Sequence, residues 1–435
     1  MKSMDFKVQL VESSFVRPTE PAPRKELWLS SLDLVQANKG HTPTIYLYSS
    51  NDIAAADFFN VARLKEAMAK ALVAFYPLAG RLGVNDDDDR MEISCNGEGA
   101  LFVVAHADDL SVDDVKQFKP SPELRRLFVP RIEPSSIIMA IQVTFLKCGG
   151  VALGTALHHV AIDASSAFHF FQTWSAFSKH GDHAAVELPC HDRTLLRARS
   201  PPTVHPDALL TLHPKLIFSD PEGPLAFEVF TISRDQVSSL KHLCGGTSTF
   251  CALSALIWQC MCVARQLPPE SEVRIVFPAD LRRRMRPPLP SHYFGNAVFR
   301  LCVTGAAGEI GTAALGSIAA RIKGTVERMD DELVRSAIDY FEMAEMDKRP
   351  ALRGTLPLTD LHITSWFGRP QYDADFGWGK PQFMSRAESV RGGYVYLMND
   401  EGTTDDGGGS GDVRVLLCME AVNIKEIGRL LYAKL

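Results

Sequence analysis

The sequence has no uninterrupted run of about 18 or more apolar residues, the length that a transmembrane helix needs. Residues 1–7 also lack the long apolar stretch of a signal peptide. The nine cysteines are scattered and lie mostly in apolar segments, which is typical of reduced thiols in a cytosolic protein. We therefore expect a cytoplasmic protein that has no membrane partner.

Motifs of several cofactor-dependent and covalent enzymes are missing as well. No Gly-x-Gly-x-x-Gly follows a strand, no phosphate-binding loop with its lysine is present, and no Gly-x-Ser-x-Gly nucleophile elbow occurs. The 46 basic and 52 acidic residues leave a net charge of −6, so the surface is not broadly basic. We therefore expect no nucleic-acid partner and no resident cofactor.

The length and composition predict two domains of mixed α/β structure. A chain of 435 residues with 46% hydrophobic residues is too long for one compact core, and its strands and helices alternate irregularly. Between them, residues 191–225 lose hydrophobic periodicity and gain proline. The sequence therefore predicts an N-terminal domain over 1–190, a crossover linker over 191–225 and a C-terminal domain over 226–435.

Hydrophobic periodicity and capping residues predict several individual elements. Alternating and β-branched segments predict strands, and apolar residues at three- and four-residue spacing predict helices. The predicted strands lie at 41–48, 151–156 and 413–419. The predicted helices lie at 60–74, 164–177, 250–265, 307–328 and 421–433.

The most informative stretch runs from Leu157 to Asp163 and carries His158 and His159. It follows a small, apolar strand and precedes a buried helix. Asp163 stands at the N-cap position of that helix, where a carboxylate accepts free backbone N–H groups. An imidazole on such a turn is held on one side and accessible on the other, as a general base requires.

Three interpretations of this turn remain open from its residues alone. The histidine pair can be purely structural, with Asp163 serving only as a helix cap. Because His159 and Asp163 are four residues apart, they can also contribute to a metal site, although no second cluster of ligands stands out in the sequence. The third interpretation is a general base without a nucleophile partner, which favours direct transfer to an acceptor.

Two further motifs can contribute chemistry. Four arginines fall within residues 282–286, which can form a solvated loop or bind an anion such as a carboxylate or a phosphate. In residues 375–379, glycines flank Trp378 and predict a rigid turn. The indole of Trp378 usually packs, but its N–H can also face a developing oxyanion.

Residues 159–163 (His-Val-Ala-Ile-Asp) and 375–379 (Asp-Phe-Gly-Trp-Gly) together resemble the signature pair of plant BAHD acyltransferases. The resemblance covers nearly the whole chain and is greatest to hydroxycinnamoyl-CoA transferases that acylate shikimate or quinate, and to their amine-acylating relatives. It is supported by segments 41–43, 75–82, 147–150, 191–199, 293–296 and 336–341. The resemblance implies two chloramphenicol-acetyltransferase-like domains with an active-site channel at their interface, and a monomer.

The resemblance also implies roles for individual residues. His159 matches the general base, and Asp163 matches a structural aspartate whose partner is an arginine, here Arg282. Asp375, Gly377 and Gly379 match a structural motif, to which we add Trp378 as a candidate oxyanion donor. Acyl-CoA would lie near Ser248, Thr249 and Arg284. The acceptor would lie near His41, Thr42, Tyr46, Gly368 and Arg369.

Two positions differ from the family pattern. Ala164 stands where a glycine usually follows the aspartate. The second difference lies in residues 366–370. Enzymes that use shikimate place an arginine two residues after the tryptophan that corresponds to Trp366, whereas here Gly368 occupies that position and Arg369 follows it. If the segment is extended, a shift of one residue turns the arginine to the other face, which favours an uncharged or cationic acceptor.

The resemblance, together with the difference at Gly368 and Arg369, therefore implies transfer of a hydroxycinnamoyl group (p-coumaroyl, caffeoyl or feruloyl) from CoA to an amine such as putrescine or agmatine, in a ternary complex and without a metal. Acylation of shikimate or quinate is the alternative with the same chemistry. A catalytically silent binding homologue is the alternative from another class.

Overall fold

The computed structural model describes residues 6–50, 57–212, 216–344, 354–389, 391–400 and 411–435. The strands are β1 (Gln9–Val16), β2 (Glu26–Trp28), β3 (His41–Tyr48), β4 (Arg81–Val84), β5 (Met91–Ser94), β6 (Ala100–Ala107), β7 (Met139–Leu146), β8 (Val151–His158), β9 (Leu225–Ile232), β10 (Glu272–Asp280), β11 (Val298–Ala306), β12 (Gly354–Thr355), β13 (Asp360–Ser365), β14 (Phe383–Arg386), β15 (Arg391–Gly392), β16 (Tyr394–Asp400) and β17 (Asp412–Glu420). The α-helices are α1 (Ser31–Leu34), α2 (Val61–Ala74), α3 (Val112–Lys116), α4 (Pro122–Phe128), α5 (Ala164–His180), α6 (Pro206–Leu209), α7 (Arg234–Leu243), α8 (Thr249–Ala264), α9 (Ala307–Thr312), α10 (Leu315–Glu327), α11 (Asp331–Met343) and α12 (Ala421–Ala433).

The chain forms two compact units that are not contiguous in sequence. The first contains Met1–Arg197, Pro290–Asn296 and Arg369–Glu388, and the second contains Ala198–Leu289, Ala297–Gly368 and Ser389–Leu435. The segment with the Asp-Phe-Gly-Trp-Gly motif thus belongs to the first unit, whereas the sequence analysis assigned it to the C-terminal domain. The reason is strand pairing, since β14 adds to β3 with Phe383 opposite Leu47.

A six-stranded sheet forms the centre of the first unit, in the order β1-β6-β7-β8-β3-β14. Strands β6 and β7 are parallel, and the other neighbours are antiparallel. The register of β3 with β8 places His41 opposite His158 at one end and Tyr48 opposite Val151 at the other. A three-stranded sheet, β2-β5-β4, completes the unit.

Helix α5 follows β8 after the turn of residues 159–163 and packs beside α2. Helix α2 begins after Asn60, whose side chain accepts the backbone N–H of Arg63 at 3.0 Å. Its buried residues recur at helical spacing and are Leu64, Ala67, Met68, Ala71 and Leu72. The two helices therefore bury their apolar faces within the first unit.

The second unit contains another six-stranded sheet, in the order β11-β10-β13-β16-β17-β9. Strand β13 is parallel to both β10 and β16, and the other neighbours are antiparallel. Helix α8 begins after Ser248 and is apolar on nearly all sides, and most of its residues are buried. It packs against α7, α9, α10 and α12, so it forms the centre of the helical layer.

The structure differs from the single helix predicted over 307–328. Two helices, α9 and α10, occupy that range with a break at Ala313 and Ala314. The buried amide of Gln259 donates to the carbonyl of Ile310 at 2.9 Å and to that of Ala313 at 2.8 Å. The helix is interrupted here because these two carbonyls accept hydrogen bonds from a side chain instead of from a helical N–H.

Candidate functional site

The predicted strand, turn and helix around His159 are confirmed. Strand β8 ends at His158, and the backbone N–H of His159 donates to the carbonyl of Gly40 at 2.9 Å. Asp163 has extended backbone geometry, and its carboxylate accepts the backbone N–H of Ser166 at 3.1 Å. Asp163 is therefore the N-cap of α5, as the sequence predicts.

His159 combines partial accessibility with an enclosed Nδ1 atom. The residue is half-buried, and Nδ1 has no hydrogen-bond partner other than the carbonyl group of His159 itself. Burial, followed by the charge of Lys39, lowers the pKa of His159 to about 3, although the charge of Asp163 partly opposes both effects. The imidazole is consequently neutral near pH 7, in the protonation state that can accept a proton.

His158 has a different environment from that of its neighbour. It is 8% exposed, its Nδ1 accepts the backbone N–H of Val160 at 3.3 Å, and its ring meets the edge of His41 at 4.8 Å between centroids. Burial, followed by the charge of His41, lowers the pKa of His158 to about 3. His158 therefore packs and orients the turn, whereas His159 is the more accessible member of the pair.

Side chains distant in sequence hold the backbone of this turn. Asn296 donates through Nδ2 to the carbonyls of His159 at 2.9 Å and Val160 at 3.2 Å. Arg193 donates to the carbonyl of Ala161 at 2.8 Å and forms an ion pair with Asp33 at 3.0 Å. The sequence analysis assigned these residues no role, although Arg193 and Asn296 lie in segments that carry the family resemblance.

Of the predicted acceptor residues in the first unit, His41 and Thr42 begin β3 opposite His158 and Leu157. The Nε2 atom of His41 is 2.6 Å from the carbonyl oxygen of Ile137. Tyr46 lies further along the strand, is 2% exposed and packs against an aromatic residue of α5. The structure thus places His41 and Thr42 near the His159 turn and Tyr46 in the core of the first unit.

Arg369 lies closer to the turn than strand alternation suggests. Residues 366–370 form a turn rather than an extended strand, and Gly368 adopts a φ of +70° that favours glycine. The guanidinium of Arg369 donates to the hydroxyl of Ser165, in the first turn of α5. The segment is therefore not extended, and the condition under which a one-residue shift would turn Arg369 to the other face is not met.

The Asp-Phe-Gly-Trp-Gly turn is built around Asp375. Its carboxylate accepts the backbone N–H groups of Gly377 at 2.9 Å and Gly379 at 3.0 Å, and it pairs with Lys179 at 2.6 Å. The hydroxyl of Ser178 donates to the carbonyl of Phe376 at 2.8 Å. The motif therefore packs against the C-terminal end of α5.

This position is distant from His159, which precedes the N-terminal end of the same helix. Asp163 and Ser178 are roughly 22 Å apart along α5, at a rise of about 1.5 Å per residue. The other side of the motif contacts Tyr48, whose hydroxyl donates to the carbonyl of Ala374 at 3.0 Å. Tyr48 is itself roughly 23 Å along β3 from the His41 end. The placement argues against an oxyanion role for Trp378 and is consistent with the structural role that the resemblance implies for the motif.

Replacing Trp378 with phenylalanine is expected to lower stability and to leave catalysis intact. The indole stacks on Phe59 at 5.3 Å, and the guanidinium of Arg63 lies 4.5 Å from its centre. Losing part of this contact is expected to reduce the free energy of unfolding by about 1–3 kcal/mol. Removing an oxyanion donor would instead lower kcat by about 10²–10³-fold. Chemical denaturation and steady-state kinetics of W378F distinguish the two outcomes.

The remaining predicted residues belong to the second unit. Arg282 is 8% exposed and contacts Asp280 at 3.3 Å, and its pairing with Asp163 stays a prediction. The hydroxyl of Ser248 accepts the backbone N–H of Cys251 at 3.2 Å, and Thr249 is the first residue of α8. Arg284 lines a cavity, and the other charged residues that line it are Arg283, Arg286, Glu327, Asp330 and Asp331. Contacts of Ser248, Thr249 and Arg284 with acyl-CoA also stay predictions.

Within the described ranges, no helix is both long and apolar enough to cross a membrane. The same ranges contain no group of three or more His, Cys, Asp or Glu residues arranged to hold a metal ion.

Comparison with known proteins identifies similar enzymes over almost the full length. A model of the transferase family matches residues 6–430. Putrescine hydroxycinnamoyltransferase 1 of Oryza sativa subsp. japonica is 41% identical over 95% of this chain and 97% of that protein. A hydroxycinnamoyl-CoA:5-hydroxyanthranilate N-hydroxycinnamoyltransferase of Avena sativa is 40% identical over 89% and 92%. Shikimate O-hydroxycinnamoyltransferase of Nicotiana tabacum is 37% identical over 98% and 100%.

Solved structures share the fold at lower identity. Vinorine synthase aligns with a TM-score of 0.75 at 23% identity and covers 99% of this chain and 98% of its own. TRI101 of F. graminearum, complexed with coenzyme A and deoxynivalenol, aligns with a TM-score of 0.74 at 18% identity over 92% and 96%. The predicted fold of two chloramphenicol-acetyltransferase-like domains is confirmed.

Proposed function

Because this chain belongs to the BAHD family of acyl-CoA-dependent acyltransferases, we propose that it transfers a hydroxycinnamoyl group from CoA to an amine such as putrescine or agmatine. The acyl group would be p-coumaroyl, caffeoyl or feruloyl. The observation that carries this proposal is His159, a neutral and partly accessible imidazole on a turn fixed by Asp163. The similarity to a putrescine hydroxycinnamoyltransferase over nearly the whole chain supports the choice of acceptor.

The proposed reaction proceeds in one ternary complex. The acceptor nitrogen attacks the thioester carbonyl while its proton passes to His159, so that a C–N bond forms and the carbonyl oxygen becomes an oxyanion. The oxyanion then collapses, the C–S bond breaks, and the CoA thiolate leaves. The imidazolium of His159 returns its proton to that thiolate, which restores the neutral base.

Arg369 favours a second candidate acceptor, one that carries a carboxylate. Its guanidinium lies beside Ser165, two residues beyond the aspartate of the His159 turn. A charge-assisted contact with an acceptor carboxylate contributes about 1.5–3 kcal/mol. Shikimate, quinate and hydroxyanthranilate carry such a group, and hydroxyanthranilate is also an amine.

An acceptor screen separates these candidates. The protein is incubated with p-coumaroyl-CoA and, in turn, putrescine, agmatine, 5-hydroxyanthranilate or shikimate, and products are measured by mass spectrometry. The proposal expects amides of putrescine or agmatine, at rates that Arg369→Gln leaves unchanged. Efficient formation of a shikimate ester, reduced about 10–100-fold by Arg369→Gln, would establish the second candidate instead.

The pH dependence of the reaction is expected to report the acceptor rather than the base. Because burial holds the pKa of His159 far below 7, the imidazole stays neutral throughout the range from neutral to alkaline pH. An alkylamine has a reference pKa of about 10.4, so its reactive, uncharged fraction rises about tenfold per pH unit above neutrality. We therefore expect kcat/KM for putrescine to rise steeply from pH 7 to about 9, measured at fixed ionic strength. A flat profile with putrescine would contradict the mechanism.

A further inference from the structure

We propose that Asp33, Arg193 and Asn296 are positioning residues that fix the backbone of the His159 turn and thereby the orientation of its imidazole. This inference rests on the proposed role of His159 as the base. All three residues belong to the first unit, and each is at least 99% buried.

Asn296 contributes the most direct contacts with the turn. Its Nδ2 atom donates to the carbonyl oxygens of His159 at 2.9 Å and Val160 at 3.2 Å. The same amide donates to Asp33 at 3.0 Å, and the backbone N–H of Asn296 donates to Asp33 at 2.8 Å. Asn296 therefore links the carbonyl group next to the imidazole to a fixed, buried carboxylate.

Asp33 and Arg193 extend the same network to the third residue of the turn. Their side chains form an ion pair at 3.0 Å, and Arg193 also donates to the carbonyl of Ala161 at 2.8 Å. Asp33 accepts from the backbone N–H of Ser30 at 2.9 Å and from its hydroxyl at 2.7 Å. Three consecutive carbonyls, from His159 to Ala161, thus receive side-chain donors from one connected network.

The network also reaches the beginning of α5. The hydroxyl of Ser166 accepts the backbone N–H of Gly295 at 3.2 Å, and Ser166 donates its own N–H to the capping Asp163. The segment that carries Asn296 is consequently joined to both ends of the turn, at His159 and in the first turn of α5. A buried ion pair is weak evidence for stability on its own, because desolvation can exceed the Coulombic gain. Its geometry here, with side-chain donors on three consecutive carbonyls of one turn, indicates a positioning role.

The test compares Asn296→Ala with a matched control, Gln142→Ala. Gln142 is also a buried amide of the first unit, and it donates to the carbonyl of Leu127 at 2.9 Å, away from the His159 turn. We expect Asn296→Ala to lower kcat for p-coumaroyl transfer by about 10²-fold, since small displacements of a base have effects of that size. We expect KM for p-coumaroyl-CoA to stay unchanged, and Gln142→Ala to lose stability without losing kcat.

A double-mutant cycle with His159→Ala distinguishes positioning from general destabilisation. If Asn296 acts through His159, adding Asn296→Ala to His159→Ala lowers the residual rate no further. Full additivity, or an Asn296→Ala variant with the kcat of the wild type, would overturn the inference. If Asn296→Ala does not fold, Arg193→Lys serves in the same cycle, because lysine keeps the charge but lacks the planar fork that joins Asp33 to Ala161. Failure of the proposed function would appear separately, as unchanged turnover in His159→Ala alone.

Discussion

Replacing His159 with alanine is expected to lower kcat for p-coumaroyl transfer to putrescine by about 10²–10⁴-fold, the usual contribution of a general base. The imidazole is neutral and partly accessible, and its enclosed Nδ1 atom leaves the other ring nitrogen to accept the proton. Binding of CoA, measured by calorimetry, is expected to persist, because the substitution removes proton transfer rather than the fold.

His169→Ala is the matched control for this experiment. His169 lies on α5, its Nε2 atom is 2.9 Å from the carbonyl oxygen of Glu187, and burial lowers its pKa as well. His169 is partly buried, as His159 is, but it does not lie on the turn that precedes α5. We expect this variant to keep kcat. Wild-type turnover in His159→Ala would exclude His159 as the base.

Replacing Gly154 with alanine is expected to destabilise the protein by about 3 kcal/mol or more. Gly154 lies in β8 between Ile45 of β3 and Gln142 of β7, at the centre of the first sheet. An added Cβ atom would lie 1.6 Å from the carbonyl oxygen of Phe128 and 2.7 Å from its carbonyl carbon. Both are backbone atoms at the end of α4, so no side-chain rotation can relieve the overlap.

Gly83→Ala is the control for this prediction. Gly83 lies in β4 of the same unit, and an added Cβ atom would meet nothing within 4 Å. Urea denaturation of both variants should show a large loss for Gly154→Ala and a small change for Gly83→Ala. Equal stability of the two variants would mean that α4 does not pack against β8 as the structure describes.

Local sequence patterns predicted several elements to within a residue, among them strand β3 beside the His159 turn. The strand His41–Tyr48 and the helix Ala421–Ala433 have the predicted bounds, and helix α2 differs by one residue at its start. Alternation, helical periodicity and caps such as Asp163 act within a few residues, so they can be recognised in a single sequence. The His159 turn was predictable for the same reason, because its strand, its cap and its helix are contiguous.

Contacts between distant residues could not be predicted in this way. Asn296 and Asp33 are 263 positions apart, and only the fold brings them together beneath the turn. The Asp-Phe-Gly-Trp-Gly motif packs in the first unit because β14 pairs with β3, a choice that no local pattern records. The direction of the Arg369 side chain was not predictable either, because the positive φ of Gly368 makes a turn of a segment that reads as a strand.

Direct transfer is the central feature of the proposed mechanism, and its most direct test uses p-coumaroyl-CoA without an acceptor. Rapid quench measures the CoA that is released, and mass spectrometry measures the mass of the intact protein. If His159 deprotonates an acceptor that attacks the bound thioester, no burst of CoA and no acylated protein should form until putrescine is added. A stoichiometric burst of CoA with a covalently acylated protein, before any acceptor is present, would contradict this mechanism.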